Sequence, residues 1–260
     1  MVDPHRRLCC AWAGASLIGM ASGARAQSSV DARTLIGKVE SLLWANTLRA
    51  EFDMQIVSPR WERNLRISVW MERPRRSFIR ITAPAKEAGI GSLRIDDEMW
   101  NYLPSVERTI KIPPSMMMQA WMGSDFTNDD LVKQSSEMND YTHRLLEEEI
   151  ADGEPVWKIE ALPKPEAVVV WGRIVYSIRK DHIPIRQEFY SERGELIRTL
   201  TFSQVKQIGK RQIPSRWEMR SVAKPDHYTV ISVREAQYNP RIDGDVFSHR
   251  NLQRKFIAPR

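Results

Sequence analysis

Cysteine is nearly absent from this chain. Its two cysteines, Cys9 and Cys10, both lie in the first 26 residues. A chain starting at Gln27 therefore has no disulfide, no thiolate ligand and no cysteine nucleophile, and its core must hold it together. Beyond the N-terminal segment no apolar run of about 18 residues occurs, so no membrane-spanning helix is expected. Histidine is sparse and scattered: His143, His182, His227 and His249 stand alone in sequence, with no His-Glu-x-x-His and no pair at i and i+4. There is no Gly-x-Ser-x-Gly elbow and no glycine-rich phosphate loop. Gly89-Ile90-Gly91 lacks the third glycine of a dinucleotide fingerprint and precedes a strand pattern, so it reads as a turn. Asp125, Asp129 and Asp130 are the densest acidic group. Their spacing does not match the alternate donors of a calcium loop, and helix capping explains them better. These absences lead to the expectation of a protein that is not an enzyme and uses no cofactor and no metal.

The first 26 residues read as a signal peptide. His5-Arg6-Arg7 is a basic n-region, Leu8 to Met20 a short apolar h-region, and Ala24-Arg25-Ala26 a small-x-small cleavage site, with the cut after Ala26. Arg6-Arg7 is flanked poorly for twin-arginine export, which favours ordinary secretion. The cysteines precede most of the h-region, so neither is placed for lipidation. Losing Arg6, Arg7, Arg25 and Asp3 lowers the formal charge from +6 to +4. That mildly basic balance suits anionic lipid. Arg73, Arg75, Arg76 and Arg80 are the tightest basic group, near Trp61 and Trp70, but export to the periplasm argues against nucleic acid.

After the leader the hydrophobic period is first helical. Leu35, Val39, Leu42 and Leu43 recur at helical spacing, and Ser29 or Asp31 can cap the helix, which runs to Trp44. Then the period becomes two. Phe52, Met54 and Ile56 alternate with acids and Gln55. Leu65, Ile67 and Val69 follow, then Arg76 to Thr82, and Asp96-Asp97-Glu98 reads as a hairpin turn between short strands. The β rhythm breaks at Pro113 to Gln134 and resumes at Tyr141, with Asp152-Gly153 as a strong hairpin signal. About eleven antiparallel strands are expected, with one solvated face bearing Arg66, Arg94, Arg186 and Arg198 and one buried face bearing Phe52, Val175, Phe189, Leu200, Phe202 and Val230. So wide a sheet must curl. No linker or repeat divides the run, so residues 27–260 are read as a single domain.

The interruption is rich in methionine. Ser115 to Met122 reads as two helical turns ended by Gly123, and Thr127 with Asp130 forms a capping box for a second short helix. Methionine is unbranched and polarizable, so such a cluster can reshape around an irregular apolar partner. The bland alternative is a loosely packed core helix. With the N-terminal helix, this segment is the only non-β piece able to close the concave face.

Trp100, Tyr102 and Pro104, followed by Gly123-Ser124-Asp125-Phe126 and Asp130-Leu131, complete a phrase. Together with the leader, helix and long antiparallel run, it resembles the bacterial outer membrane lipoprotein-sorting family, the LolA/LolB-like proteins. The resemblance implies a mainly β (α+β) fold, a strongly curved antiparallel half-barrel closed by helices around an apolar cavity. It implies a periplasmic carrier that shields acyl chains of lipoproteins or free lipid. An inner-membrane transporter of RND or ABC type is the implied partner, and the protein is read as a monomer. The alternative is an accessory or adaptor protein of an RND-type lipid exporter that works by protein–protein contact. The candidate lipid-contacting residues are Phe52, Met54, Ile67, Val69, Phe78, Trp100, Tyr102, Met117, Met118, Trp121, Met122 and Phe126.

Overall fold

The structure, a computed structural model, describes residues 31–133, 137–146, 148–151 and 153–257. The leader and its cleavage site lie outside the described residues. Helix α1 (Ala32–Leu43) begins where the helical spacing predicts. Asp31 is its N-cap and accepts a hydrogen bond from the Thr34 amide at 2.9 Å. Leu35, Ile36, Val39 and Leu43 are its buried stripe.

Fourteen strands among the described residues join one antiparallel sheet. The first six are β1 (Thr47–Ser58), β2 (Trp61–Glu72), β3 (Arg76–Ala83), β4 (Gly91–Ile95), β5 (Glu98–Leu103) and β6 (Arg108–Ile112). After helices α2 (Asn128–Lys133) and α3 (Glu137–Asp140) come β7 (Tyr141–Leu145), β8 (Glu149–Ala151), β9 (Glu154–Pro163) and β10 (Arg173–Arg179). The last four are β11 (Pro184–Tyr190), β12 (Leu196–Ile208), β13 (Arg211–Ser221) and β14 (Tyr228–Tyr238). Helix α4 (His249–Leu252) follows a 3-10 turn at Gly244–Phe247. The count exceeds the expected eleven partly because Tyr141 to Ile150, read as one strand, is two: β7 and β8 both pair with β9.

Strand order places β1 in the middle, between β2 and β14. The two ends of the order are β6 and β7, which are consecutive strands in the chain. The segment between them must therefore pass from one edge of the sheet to the other. The sheet bends through β-bulges, at Glu51/Phe52 between β1 and β14, at Ser177/Ile178 between β10 and β11, and at Phe189/Tyr190 between β11 and β12. The core lies on the concave side under α1.

Three expectations about faces are corrected. Arg198 shares parity with Leu200 and Phe202 and is buried with them, at 4 % exposure, not solvated. On β10 and β14 the residues joined to the main core are Ile174, Tyr176 and Ile178, and Ile231 and Val233, rather than Val175 and Val230. Each of those strands carries apolar residues on both parities, so a single apolar residue such as Val175 or Val230 does not by itself say which face is concave. At the β3–β5 end neither face is solvated. Phe78 and Leu93 form a second core on the other side of the sheet, covered by Phe247 and Leu252 from the C-terminal segment. Gly91 permits this cover, because a Cβ there would come within 2.9 Å of Leu252. Arg94 is likewise buried, and donates to the carbonyls of Asp96 and Pro74.

Candidate functional site

An apolar cavity of about 170 Å³ sits between α1, the concave face and the segment joining the two sheet edges. Helix α1 supplies Ile36, Val39 and Leu43 from its buried stripe. Strands β1 and β2 supply Phe52, Met54, Ile67 and Val69, and the far strands supply Phe189, Leu200, Phe202 and Trp217. Alternation delivers these side chains: residues two apart on each strand reach the same face.

Six of the twelve sequence candidates are brought together here: Phe52, Met54, Ile67, Val69, Trp121 and Phe126. The other six lie elsewhere. Phe78, Trp100 and Tyr102 have the opposite parity and belong to or pack against the second core. Met117 and Met122 are partly buried against the main core without bordering the cavity, and Met118 is 42 % exposed. The two helical turns expected over Ser115 to Met122 are instead separate 3-10 turns, Pro114–Met116 and Trp121–Gly123. Met122 adopts φ 50°, which swings the chain so that Trp121, at 2 % exposure, is the side chain driven inward.

The crossing segment is tied to the sheet on several sides. The Trp121 indole donates to the Ser92 hydroxyl of β4 at 3.0 Å, and that hydroxyl donates to Asn101 at 2.6 Å. Arg63 of β2 donates to the Met122 carbonyl at 2.7 Å and pairs with Glu87. Asp125 accepts from the Thr229 hydroxyl at 2.7 Å and lies 2.8 Å from His227 Nδ1, so a histidine solitary in sequence has a partner in space. The expected capping box is present: the Thr127 amide donates to Asp130 at 2.7 Å and the Asp130 amide to the Thr127 hydroxyl at 3.2 Å. Asp130 also holds Arg198 in a two-point pair, with Nη1 to Oδ2 at 2.7 Å. The Arg198 guanidinium lies 4.4 Å from the Trp171 ring centre and 4.5 Å from that of Phe189.

One end of the cavity is polar, and sequence reasoning missed it. Glu137 accepts from the Tyr176 hydroxyl at 2.6 Å and from the Gln187 amide at 3.0 Å. Burial, reinforced by the nearby Glu40 and Asp130 carboxylates, pushes the Glu137 carboxyl up to about 7. Glu40, on the inner side of α1, pairs with Arg73, and burial raises its pKa too. An acid beside an apolar helical stripe is the one sequence signal that could have pointed to this end. Glu137 stands in no periodic pattern and gave no such signal.

An open antiparallel sheet bent around an apolar cavity and roofed by a helix and a cross-edge segment is a LolA-like fold. Solved structures share it. A DUF1329 family protein from Desulfovibrio piger superposes with a TM-score of 0.76 at 22 % identity, covering 86 % of this chain and all of its own. A LolA superfamily protein from Nitrosomonas europaea gives 0.72 at 21 %, covering 86 % of this chain and 100 % of that one. A domain from Vibrio parahaemolyticus described as outer membrane lipoprotein-sorting gives 0.72 at 21 %, covering 86 % and 98 %. At these identities the likeness is one of fold. Residues 73–254, well over half of the chain, match the model of a family described as uncharacterized proteins, and the chain belongs to that family. No curated protein matches the sequence.

Proposed function

We propose that this chain is a periplasmic carrier, not an enzyme, that shields the acyl chains of lipoproteins or free lipid on the way to the outer membrane. In this reading residues 1–26 are removed on export and residues 27–260 form one lipid-binding domain that works as a monomer beside an inner-membrane transporter. The observation that carries it is the apolar cavity between α1 and the cross-edge segment. The description of the Vibrio parahaemolyticus domain as lipoprotein-sorting supports the same class of cargo. Burying an acyl chain gains about 0.8 kcal/mol per CH₂, on the order of 10 kcal/mol for a sixteen-carbon chain before ordering costs. Such a site needs apolar volume and an entrance rather than a charged catalyst.

The cavity of about 170 Å³ is smaller than the ~300–1,000 Å³ usual for ligand pockets. Cargo must therefore widen it. Met116, Met117 and Met122 are partly buried against the main core, where flexible thioether side chains let the packing yield. The test is native mass spectrometry and lipid extraction of purified protein, together with uptake of a fluorescent fatty acid. Bound lipid or saturable uptake is expected, and Val69→Phe, which fills the cavity, should weaken uptake at least tenfold. Protein that never carries lipid and never takes up the probe would replace this reading with the adaptor, whose surface contacts need no cavity.

A further inference from the structure

The polar end of the cavity has a defined composition. Glu137 opens α3, while Tyr176 on β10 and Gln187 on β11 sit directly opposite each other across the strand pair. All three border the cavity. Tyr176 and Gln187 both donate to the same carboxyl oxygen, Oε2.

Carboxylates outnumber the cations that line this end. Glu40 from α1 and Asp129 and Asp130 from α2 border the same end, with the Tyr141 phenol from β7. The nearby cations are already engaged. Arg73 pairs with Glu40, Arg198 with Asp130, and Arg186 with Glu188 at 3.1 Å on a side chain about half exposed. None of them pairs with Glu137. A second anion here would sit against the buried Glu137 carboxylate in a low-polarity setting, which is costly. A group that both donates and accepts hydrogen bonds without charge meets an acid, a phenol and an amide that can satisfy it.

We propose that Glu137, Tyr176 and Gln187 form the polar anchor of the cargo site and select a lipid ending in an alcohol over one ending in a carboxylate. This rests on the carrier reading above. The alternative role for the three residues is a strut that pins α3 to the sheet. A strut would hold α3 equally well whatever the polar group of the cargo, so the two roles differ in ligand preference.

The experiment is displacement of N-phenyl-1-naphthylamine by 1-dodecanol and by dodecanoate at pH 8, in the full mature chain. Any apolar cavity prefers the alcohol to some degree, so the readout is how far the preference depends on residue 137. In the wild type, dodecanol should displace the probe at a concentration at least tenfold below dodecanoate. Glu137→Gln keeps the shape and removes the charge, and should shrink that ratio at least threefold. Tyr176→Phe should weaken dodecanol severalfold and leave dodecanoate unaltered. If Glu137→Gln does not fold, Gln187→Met reads the same ratio without touching the carboxyl. An unchanged ratio in the folded variants overturns the anchor and leaves the carrier standing. A wild type that does not bind the probe and is not displaced by either ligand overturns both.

Discussion

At the residue scale, Glu137 links the site to stability. Its carboxyl titrates near 7 in the folded protein, against an ordinary value of 4.5. The folded state therefore holds its proton more tightly than the unfolded state, and stability falls as pH rises from about 4.5 through 7. The full effect of this group is on the order of 3 kcal/mol. Glu137→Gln should flatten the decline, which thermal melts of the two proteins between pH 5 and 8 would check; parallel melting curves would count against the buried, charge-averse setting described here. Trp121 offers a second test. Its indole fills the wall and its N–H meets Ser92. Trp121→Ala should cost about 3–5 kcal/mol by urea titration, and Trp121→Phe, which mainly removes the buried donor to the Ser92 hydroxyl, about 1–2 kcal/mol.

At the element scale, the two pieces that roof the cavity are held differently. Helix α1 is fastened by its apolar stripe, by the Glu40–Arg73 pair and by Arg211, which donates to the Leu42 carbonyl at 2.9 Å. The cross-edge segment is fastened by polar bonds to β2, β4, β12 and β14. Among these the Arg198–Asp130 pair joins two full charges, with side-chain exposures of 5 % and 18 %. Arg198→Leu leaves Asp130 buried without its cation and should cost about 3–5 kcal/mol. Asp31→Ala removes only an exposed cap and should cost far less. A chemical denaturation series would show whether the two differ in this way. The C-terminal segment is a third cover. Deleting residues 243–260 should bare Phe78 and Leu93 and raise binding of a hydrophobic dye, since the segment supplies Phe247 and Leu252 to that core.

At the scale of the whole molecule, the first strand pairs with the last, so β1 and β14 close a loop of nearly the entire described chain. The same sheet then runs without a break to both edges. Such a topology should unfold as one unit. Tryptophan fluorescence and far-UV circular dichroism should give coincident denaturation curves; separate midpoints would divide residues 27–260 into two domains. Refolding should be slow for a chain of this size, because the central pairing is also the most distant in sequence.

The alternation of apolar and polar residues by itself determined the strands, and the 3.6-residue period determined α1 and its cap. Both signals arise from neighbours a few positions apart. The carrier reading came from the resemblance carried by Trp100, Tyr102, Pro104 and the Gly123 to Leu131 phrase, which is also a local signal. Which face of β10 and β14 is concave, and that Phe78, Trp100 and Tyr102 serve a second core, were decided only by the tertiary structure, because apolar residues occur on both parities of β10 and β14 and a C-terminal cover far away in sequence claims the outer face at β3–β5. The site divides in the same way. Phe52, Met54, Ile67 and Val69 were legible because their strands alternate cleanly. Trp121 was legible as part of an apolar cluster, but its inward turn depends on the backbone at Met122 and on Ser92. Glu137 became part of the cavity only when the chain, having to cross from β6 to β7, carried α3 over Tyr176 and Gln187. A polar group acquires that role from what surrounds it in space, which no periodicity encodes.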